Sequence, residues 1–347
     1  AASDVYKRQG MAGSVNTPPN KDIRWEKTTT VNVGVDFALF RHRLSGTIEY
    51  YNKYSVDLLA AINGSPTQGF GYTTLMTNNG KMVNRGVEIT LSGEIIRQKD
   101  FSWNASLLYA FNRNKVKHIS VQPSLWDSRI SMPTSYPMVG KPLYGIYAYK
   151  WAGLNENGDP QVYDAENNVT SGPARDYHAL VYCGTTVPIH NASLTNVLRY
   201  KGFEFSAMLI LDAGHKLRSS NIPSINMSNG RITSTAKGIV DRWTQPGDVT
   251  DVPRLLFSND TENFNTHRTE LYRYSDLFVY DASNIRLSNI SLAYRVPAHW
   301  CKKISLSGAR LQFNVENVAT FAFDSKANYD LGGKVKPNYV WGLYLNF

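Results

Sequence analysis

Only two of the 347 residues are cysteine, Cys183 and Cys301, and neither stands at metal-ligand spacing from other donors. Two cysteines so far apart cannot supply a multi-bridge disulfide framework, and whether they pair is left open by their positions. Long apolar runs are missing too: none approaches the ~20 residues of a transmembrane helix, and the mean hydropathy is −0.34. A helical membrane protein is thereby excluded, but a β-barrel is not, because only every second residue of its strands has to be apolar. The net charge of +9 comes from scattered single Lys and Arg residues. With no dense basic run or nucleic-acid motif, nucleic acid is not expected as a partner. The seven His are isolated, and His-Glu-x-x-His, Gly-x-Ser-x-Gly, P-loop and dinucleotide patterns are all absent. No catalytic, cofactor-binding or metal-binding residue is assigned, and the chain is not expected to be an enzyme. Asn155-Glu-Asn-Gly-Asp159 lacks the spacing and closing Glu of a calcium loop and reads as a plain turn.

What the chain has is aromatic residues, 21 Tyr, 14 Phe and 7 Trp, set in two-residue alternation. The last nine residues show it most clearly. Tyr339, Trp341, Leu343, Leu345 and Phe347 fall on one face of a strand, and Val340, Gly342, Tyr344 and Asn346 on the other. An apolar face ending in aromatics opposite a small or polar face is the pattern of a strand in a membrane barrel. The edge of a soluble β-sandwich shows the same alternation.

The pattern recurs along the chain. A strand over residues 25–40 carries Val31, Val33, Val35, Phe37 and Leu39 on one face, and after a short turn Leu44, Gly46, Ile48 and Tyr50 continue it. Val87, Ile89, Leu91 and Ile95 oppose Glu88, Thr90, Ser92 and Glu94; Phe101 to Phe111 follows after a tight turn. Alternation resumes near Ala192, turns at residues 200–202, and continues from Phe203 to Leu211 opposite Glu204. A strand over residues 278–296 has a register break near Leu287, which reads as a bulge. Leu311, Phe313 and Val315 then alternate with Arg310, Gln312, Asn314 and Glu316.

Short turns near residues 42, 99, 201 and 300 alternate with long loops over about 58–80, 115–190, 215–276 and 318–338. Outer-membrane barrels join their strands in this way, with short turns on the periplasmic side and long loops outside. Nine strands satisfy the parity. Residues 143–154 would break it as a spanning strand and are assigned to an arm of a hairpin outside the wall. Several strands exceed the five or six residues usual in soluble sheets. Glu88, Glu94, Glu204, Arg310, Gln312, Asn314 and Glu316 are expected to face a barrel lumen, where charge is tolerated. Tyr72, Trp126, Tyr136, Trp151, Trp243 and Tyr272, in the long loops, are candidates for stacking on sugar rings or gripping peptide side chains; packing of their own loops is the alternative.

These residues also carry a resemblance. Ile23-Arg-Trp-Glu-Lys-Thr-Thr29, residues 44–53, Asn84-Arg-Gly-Val-Glu-Ile89, residues 194–206, Arg242-Trp-Thr244 with Pro246-Gly-Asp248, residues 281–294 and Glu316-Asn317 occur in the order found in the SusC/RagA family of TonB-linked outer-membrane receptors. The chain resembles the C-terminal barrel part of that family over nearly all of its length after residue 20. The resemblance implies an all-β, partial transmembrane antiparallel barrel in the cell outer membrane, a whole barrel of roughly 22 strands, an N-terminal plug with a TonB box, and import of glycans or peptides. It also implies two partners, a SusD-like surface lipoprotein and the TonB complex, the latter reached through an N-terminal region that this sequence does not show. Residues 1–20 are expected to be a non-native or disordered start, and residues 21–347 the barrel fragment. The fragment is expected to form an open, curved sheet with its last strand at an unpaired edge. An outer-membrane structural or adhesion barrel without import, and a soluble β-sandwich glycan-binding module, remain as other readings.

Overall fold

The computed structural model describes residues 20–63, 74–121, 128–172, 176–227, 236–257, 266–331 and 336–347. In chain order its strands are β1 (Lys27–Leu39), β2 (Leu44–Asn63), β3 (Thr74–Arg97), β4 (Phe101–Ile119), β5 (Gly145–Tyr149), β6 (Trp151–Leu154), β7 (Pro160–Tyr163), β8 (Val169–Thr170), β9 (Leu180–Thr185), β10 (His190–Tyr200) and β11 (Phe203–Ala213). They continue as β12 (Lys216–Arg218), β13 (Asn226–Met227), β14 (Leu256–Phe257), β15 (Val279–Asp281), β16 (Asn284–Arg295), β17 (Gly308–Ala322) and β18 (Asn338–Asn346). Among the described residues the short helices are α1 (Ser128–Ser131), α2 (Thr266–Arg273) and α3 (Ala298–Lys302).

Nine of the strands form one antiparallel sheet in the order β1-β2-β3-β4-β10-β11-β16-β17-β18. Every neighbour in the sheet is also a neighbour among the long strands in sequence, joined by tight turns at one end and by longer connections at the other. At the β1–β2 turn Phe40, Arg41 and His42 all adopt positive φ, at 53°, 56° and 65°. This left-handed run reverses the chain within four residues and leaves Leu39 paired with Leu44. Lys201 does the same between β10 and β11, with φ 53°. The sheet is open among the described residues: β1 pairs only with β2, and β18 only with β17.

The register puts Val33, Tyr50, Val87 and Phe111 in one row across β1 to β4, and Phe203, Tyr294, Leu311 and Leu343 in another across β11 to β18. These residues share a face, and that face is solvent-exposed at Val33, Val35, Leu311, Trp341 and Leu343. A β-sandwich would bury such a face against a second sheet about 10 Å away; among the described residues no second sheet lies there. A continuous exposed apolar band of this size fits lipid rather than water.

The break foreseen near Leu287 is a bulge, with the pairing shifted beside Ser288 against both β11 and β17. On β17 the same irregularity is absorbed by Asn317, at φ 53°. Residues 143–154 do lie outside the nine-stranded sheet: β5 pairs with β9, and β6 with β7. The loop expected over residues 58–80 is shorter than that, because β2 runs to Asn63 and β3 begins at Thr74, with Leu59 opposite Asn78 and Ala60 opposite Thr77. Pairing passes a double register shift at Ser55 to Leu59, helped by Asp57 at φ 57°. A Cβ on Gly80 would come within 2.8 Å of the Leu58 Cβ, so glycine is needed for this close approach. The apolar alternation lapses over residues 59–63 and 74–80 although the ladder does not.

The buried hydrophobic clusters lie in the layer formed by the long loops, while the wall buries single residues such as Val83, Val116 and Ala293. Tyr147, Tyr149, Val162, Ala179, Leu180 and Leu271 form one cluster, and Ile225, Tyr272 and Phe278 a second, with Trp151 packed against both.

Candidate functional site

Two surfaces are candidates for function: the polar face of the sheet and the loop layer at its end. The polar face follows from register. Glu94 lies opposite Asn104, Asn104 opposite Val197, Val197 opposite Ser206, Ser206 opposite Ser291, and Ser291 opposite Asn314. Glu88 lies on this face opposite Ala110, Glu204 opposite Ala293, Gln312 opposite Ala293 and Gly342, Arg310 opposite Tyr344, and Glu316 opposite Asn289. The seven residues expected to face a lumen thus lie on one face of the sheet.

Their bonding is uneven. Glu204 accepts from Arg199 Nε at 2.7 Å and Arg310 Nη2 at 3.1 Å, one carboxylate oxygen each. The Gln312 amide donates to Ser291 Oγ at 3.3 Å and to Asn314 Oδ1 at 2.9 Å. Arg97 reaches Glu94 at 3.4 Å, and Arg286 reaches Asp212 at 3.1 Å. A recess of about 340 Å³ lies along β3, β4, β10 and β11, lined on the polar face by Glu88, Thr90, Asn191, Ser193 and Asp212.

On the apolar face, Tyr339, Trp341, Leu343 and Leu345 pair with Val315, Phe313, Leu311 and Ala309. The Trp341 ring lies 4.2 Å from that of Phe313, and Phe203 lies 4.5 Å from Tyr294. Phe347 follows at the end, almost fully exposed.

The loop layer places the candidate aromatics differently from one another. Tyr272 is buried, edge-on to Phe278 at 4.9 Å, and burial raises its phenol above the ordinary range. In this arrangement its ring is core, out of reach of a ligand. Trp151 is half-buried; its indole donates to Asp251 Oδ1 at 2.9 Å and its backbone N–H to Asp276 Oδ1 at 2.9 Å. Trp243 is half-buried over Gly158, where a Cβ would come within 2.4 Å of the indole. Gly158 has φ 74°, closing the turn at residues 155–159. Tyr136 is half-buried, its carbonyl accepting from Arg129 Nε at 3.4 Å. Tyr72 and Trp126 lie outside the described residues.

Sequence reasoning missed the residues that hold this layer together. Asp159 accepts from Arg254 at 3.1 and 2.9 Å and from the buried Arg268 at 2.7 Å. Arg218 donates to the carbonyls of Arg273, Ser275 and, at 2.6 Å, Tyr147. Asp330 accepts from Ser219 Oγ, Ser220 N and Ser220 Oγ at 2.7, 2.9 and 2.6 Å. These partners are separated by more than 50 residues, so no local spacing announces them. Gly145–Tyr149 is buried at every position, so it lacks the alternation that marks a half-exposed strand.

Cys183 and Cys301 are both free thiols. Cys183 lies in β9 of the loop layer and Cys301 in α3 at the short-turn end, so they sit in opposite regions of the sheet. Among the described residues no group of three or more His, Cys, Asp or Glu is placed to hold a metal ion, and no helix is long and apolar enough to cross a membrane.

Residues 1–318 match the family described as TonB dependent receptor-like, beta-barrel. The chain is 25% identical over 346 residues to the TonB-dependent receptor P3 of Formosa agariphila, covering 93% of this chain and 33% of that protein. It is also 25% identical over 312 residues to the TonB-dependent receptor SusC of Bacteroides thetaiotaomicron, covering 86% of this chain and 29% of SusC. The chain thus spans about a third of the length of these relatives. Among solved structures it is similar in fold to the RagAB peptide transporter, with a TM-score of 0.75 at 22% identity over 98% of this chain and 37% of that one.

Proposed function

Because this chain belongs to the TonB-dependent receptor-like β-barrel family, we propose that it is the C-terminal wall of an outer-membrane, SusC-like importer of glycans or peptides. The observation that carries this reading is the two-sidedness of the nine-stranded sheet. One face is an exposed aliphatic and aromatic band, and the other gathers Glu88, Glu94, Glu204, Arg310, Gln312, Asn314 and Glu316. A wall between lipid and a water-filled or protein-filled lumen needs that distribution. In this reading Tyr339 to Phe347 serve as the strand read during membrane insertion.

The full receptor would contain further strands and an N-terminal plug bearing the contact with TonB; residues 1–19, expected as a non-native start, lie outside the described residues. A SusD-like lipoprotein would close the loop side. Both cargo classes come from the resemblance to the SusC/RagA family, and the fold shared with a peptide transporter does not choose between them. Of the loop aromatics, Tyr136, Trp151 and Trp243 keep part of their surface open and are proposed, with Tyr72 and Trp126, as ligand contacts.

The test is uptake. Deleting the gene of the full receptor, or of TonB, should abolish growth on one oligosaccharide or peptide source and leave growth on its monomers intact. Growth unchanged on every such source, with the protein still in the outer membrane, would instead point to a structural barrel.

A further inference from the structure

Where β10, β11, β16 and β17 meet their short turns, the polar face collects more cations than it can neutralise. Glu204 is one carboxylate among Arg199, Arg295, Arg310 and Lys201, which together line a recess of about 110 Å³. Both its oxygens are taken, by Arg199 and Arg310. Arg295 stands directly opposite Arg310 in the register, an arrangement of like charges that destabilises a sheet. The Arg295 guanidinium has no hydrogen bond or ion pair with any described residue. Arg310 spends one of its five N–H donors on Glu204. The same two arginines line a second, more open recess of about 530 Å³ with Gln312, Tyr344 and Asn346.

We propose that Arg295 and Arg310 clamp a carboxylate side chain from the part of this protein that lies outside these 347 residues. The inference rests on the reading of the chain as one piece of a longer receptor. Charge complementarity selects an acidic group, since two planar guanidinium forks facing one gap match a carboxylate bidentately. Size accommodates a side chain: the smaller recess takes one head group, and the larger one leaves room for the segment that carries it. Length supplies the donor, because the chain spans only about a third of its relatives, and the rest of such a protein is what a polar inner face has available to contact. With the carboxylate seated, two acidic groups would answer three guanidinium groups, and the Arg295–Arg310 repulsion becomes a shared attraction.

The experiment compares the full receptor with its Arg295→Gln/Arg310→Gln variant by hydrogen exchange in detergent. At least one segment outside residues 1–347 should exchange ten or more times faster in the variant, while the β10–β17 amides and the heat-modified gel shift of the barrel stay as in wild type. Arg295→Lys, which keeps the charge, should recover part of the protection. Exchange outside the 347 residues that is unchanged would overturn the proposal. So would a free-anion site: sulfate raising the melting temperature of wild type, but not of the variant, with no change outside the 347 residues. Failure of uptake on every glycan and peptide, with the exchange shift present, would defeat the importer reading and leave the clamp standing.

Discussion

Glu49 and Glu88 stand directly opposite each other on β2 and β3, on the polar face, and neither carboxylate has an ion pair or hydrogen bond to a described residue. Gly34 is the β1 partner of Glu49 and brings no side chain to the pair. Like charges directly opposite in a sheet cost stability of the order of 0.2–1 kcal/mol. Glu88→Gln is therefore expected to stabilise the folded barrel by about that amount, read as a higher melting temperature of the full receptor. Glu94→Gln should not, because Glu94 already has Arg97.

The loop layer hangs on Asp159. Arg268 is 3% exposed and gives Asp159 a 2.7 Å hydrogen bond, alongside the two from Arg254. Asp159→Ala removes the carboxylate that Arg254 and the buried Arg268 share, although Arg268 keeps its bonds to Asn226 Oδ1 and the Arg254 carbonyl; breaking a buried pair by removing one partner costs roughly 3–5 kcal/mol. The expected result is rapid protease cleavage within residues 150–275, with the nine-stranded wall intact. Cleavage at the wild-type rate would show that the aromatic clusters and the Arg218 and Asp330 bonds hold the loops without Asp159.

Acid should loosen the β12–β15 pair. Burial raises the Asp281 carboxyl, but hydrogen bonds from Ser283 and the Lys216 ammonium, at 2.9 Å, outweigh it and hold its pKa at about 2. A carboxyl depressed on folding stabilises the native state above its ordinary pKa near 4, and that contribution is lost as pH falls from about 4 towards 2. Hydrogen exchange of Ser219, whose N–H donates to Phe278 O, should accelerate over that interval. In Asp281→Asn it should be fast at every pH and lose the transition.

Burial in the loop layer pushes the Cys183 thiol up to about 11, with Asp276 adding to the effect and Arg218 opposing it. At pH 8 about one molecule in a thousand would carry the reactive thiolate, against about a quarter for an ordinary cysteine of pKa near 8.5. Maleimide labelling of Cys183 should then run at least a hundredfold slower than that of a cysteine placed on an exposed turn. Labelling at the same rate would mean that β9 opens readily.

The wall was legible in the sequence because one face of each strand must be apolar and the other need not be. Val31 to Leu39, Leu311 to Val315 and Tyr339 to Phe347 announce themselves for that reason, as does the bulge beside Leu287, where the alternation slips by one. Residues 59–63 and 74–80 gave no such signal, since strand continuing above the lipid is held by its ladder and not by a hydrophobic face. The loop layer was least legible. Its strands are covered on both sides, and its ion pairs join residues as distant as Asp159 and Arg268. Tyr272 illustrates the difficulty: an aromatic in a polar loop looks the same in sequence whether it meets a ligand or its neighbour Phe278.

The strands of the wall are unequal in length. The pairing of β4 with β10 stops at Phe111 and His190, whereas its pairing with β3 continues to Ile119 and Gly80, and β2 and β3 go further still. At about 3.3 Å per residue, the eight residues of β4 past Phe111 climb some 26 Å along the strand, nearly the thickness of the hydrocarbon itself. The rim is thus a slope, high at β2 to β4 and low at β10 to β16. In the proposed receptor this slope would give access to the interior a preferred compass direction, over β10 to β16 rather than over β2 to β4.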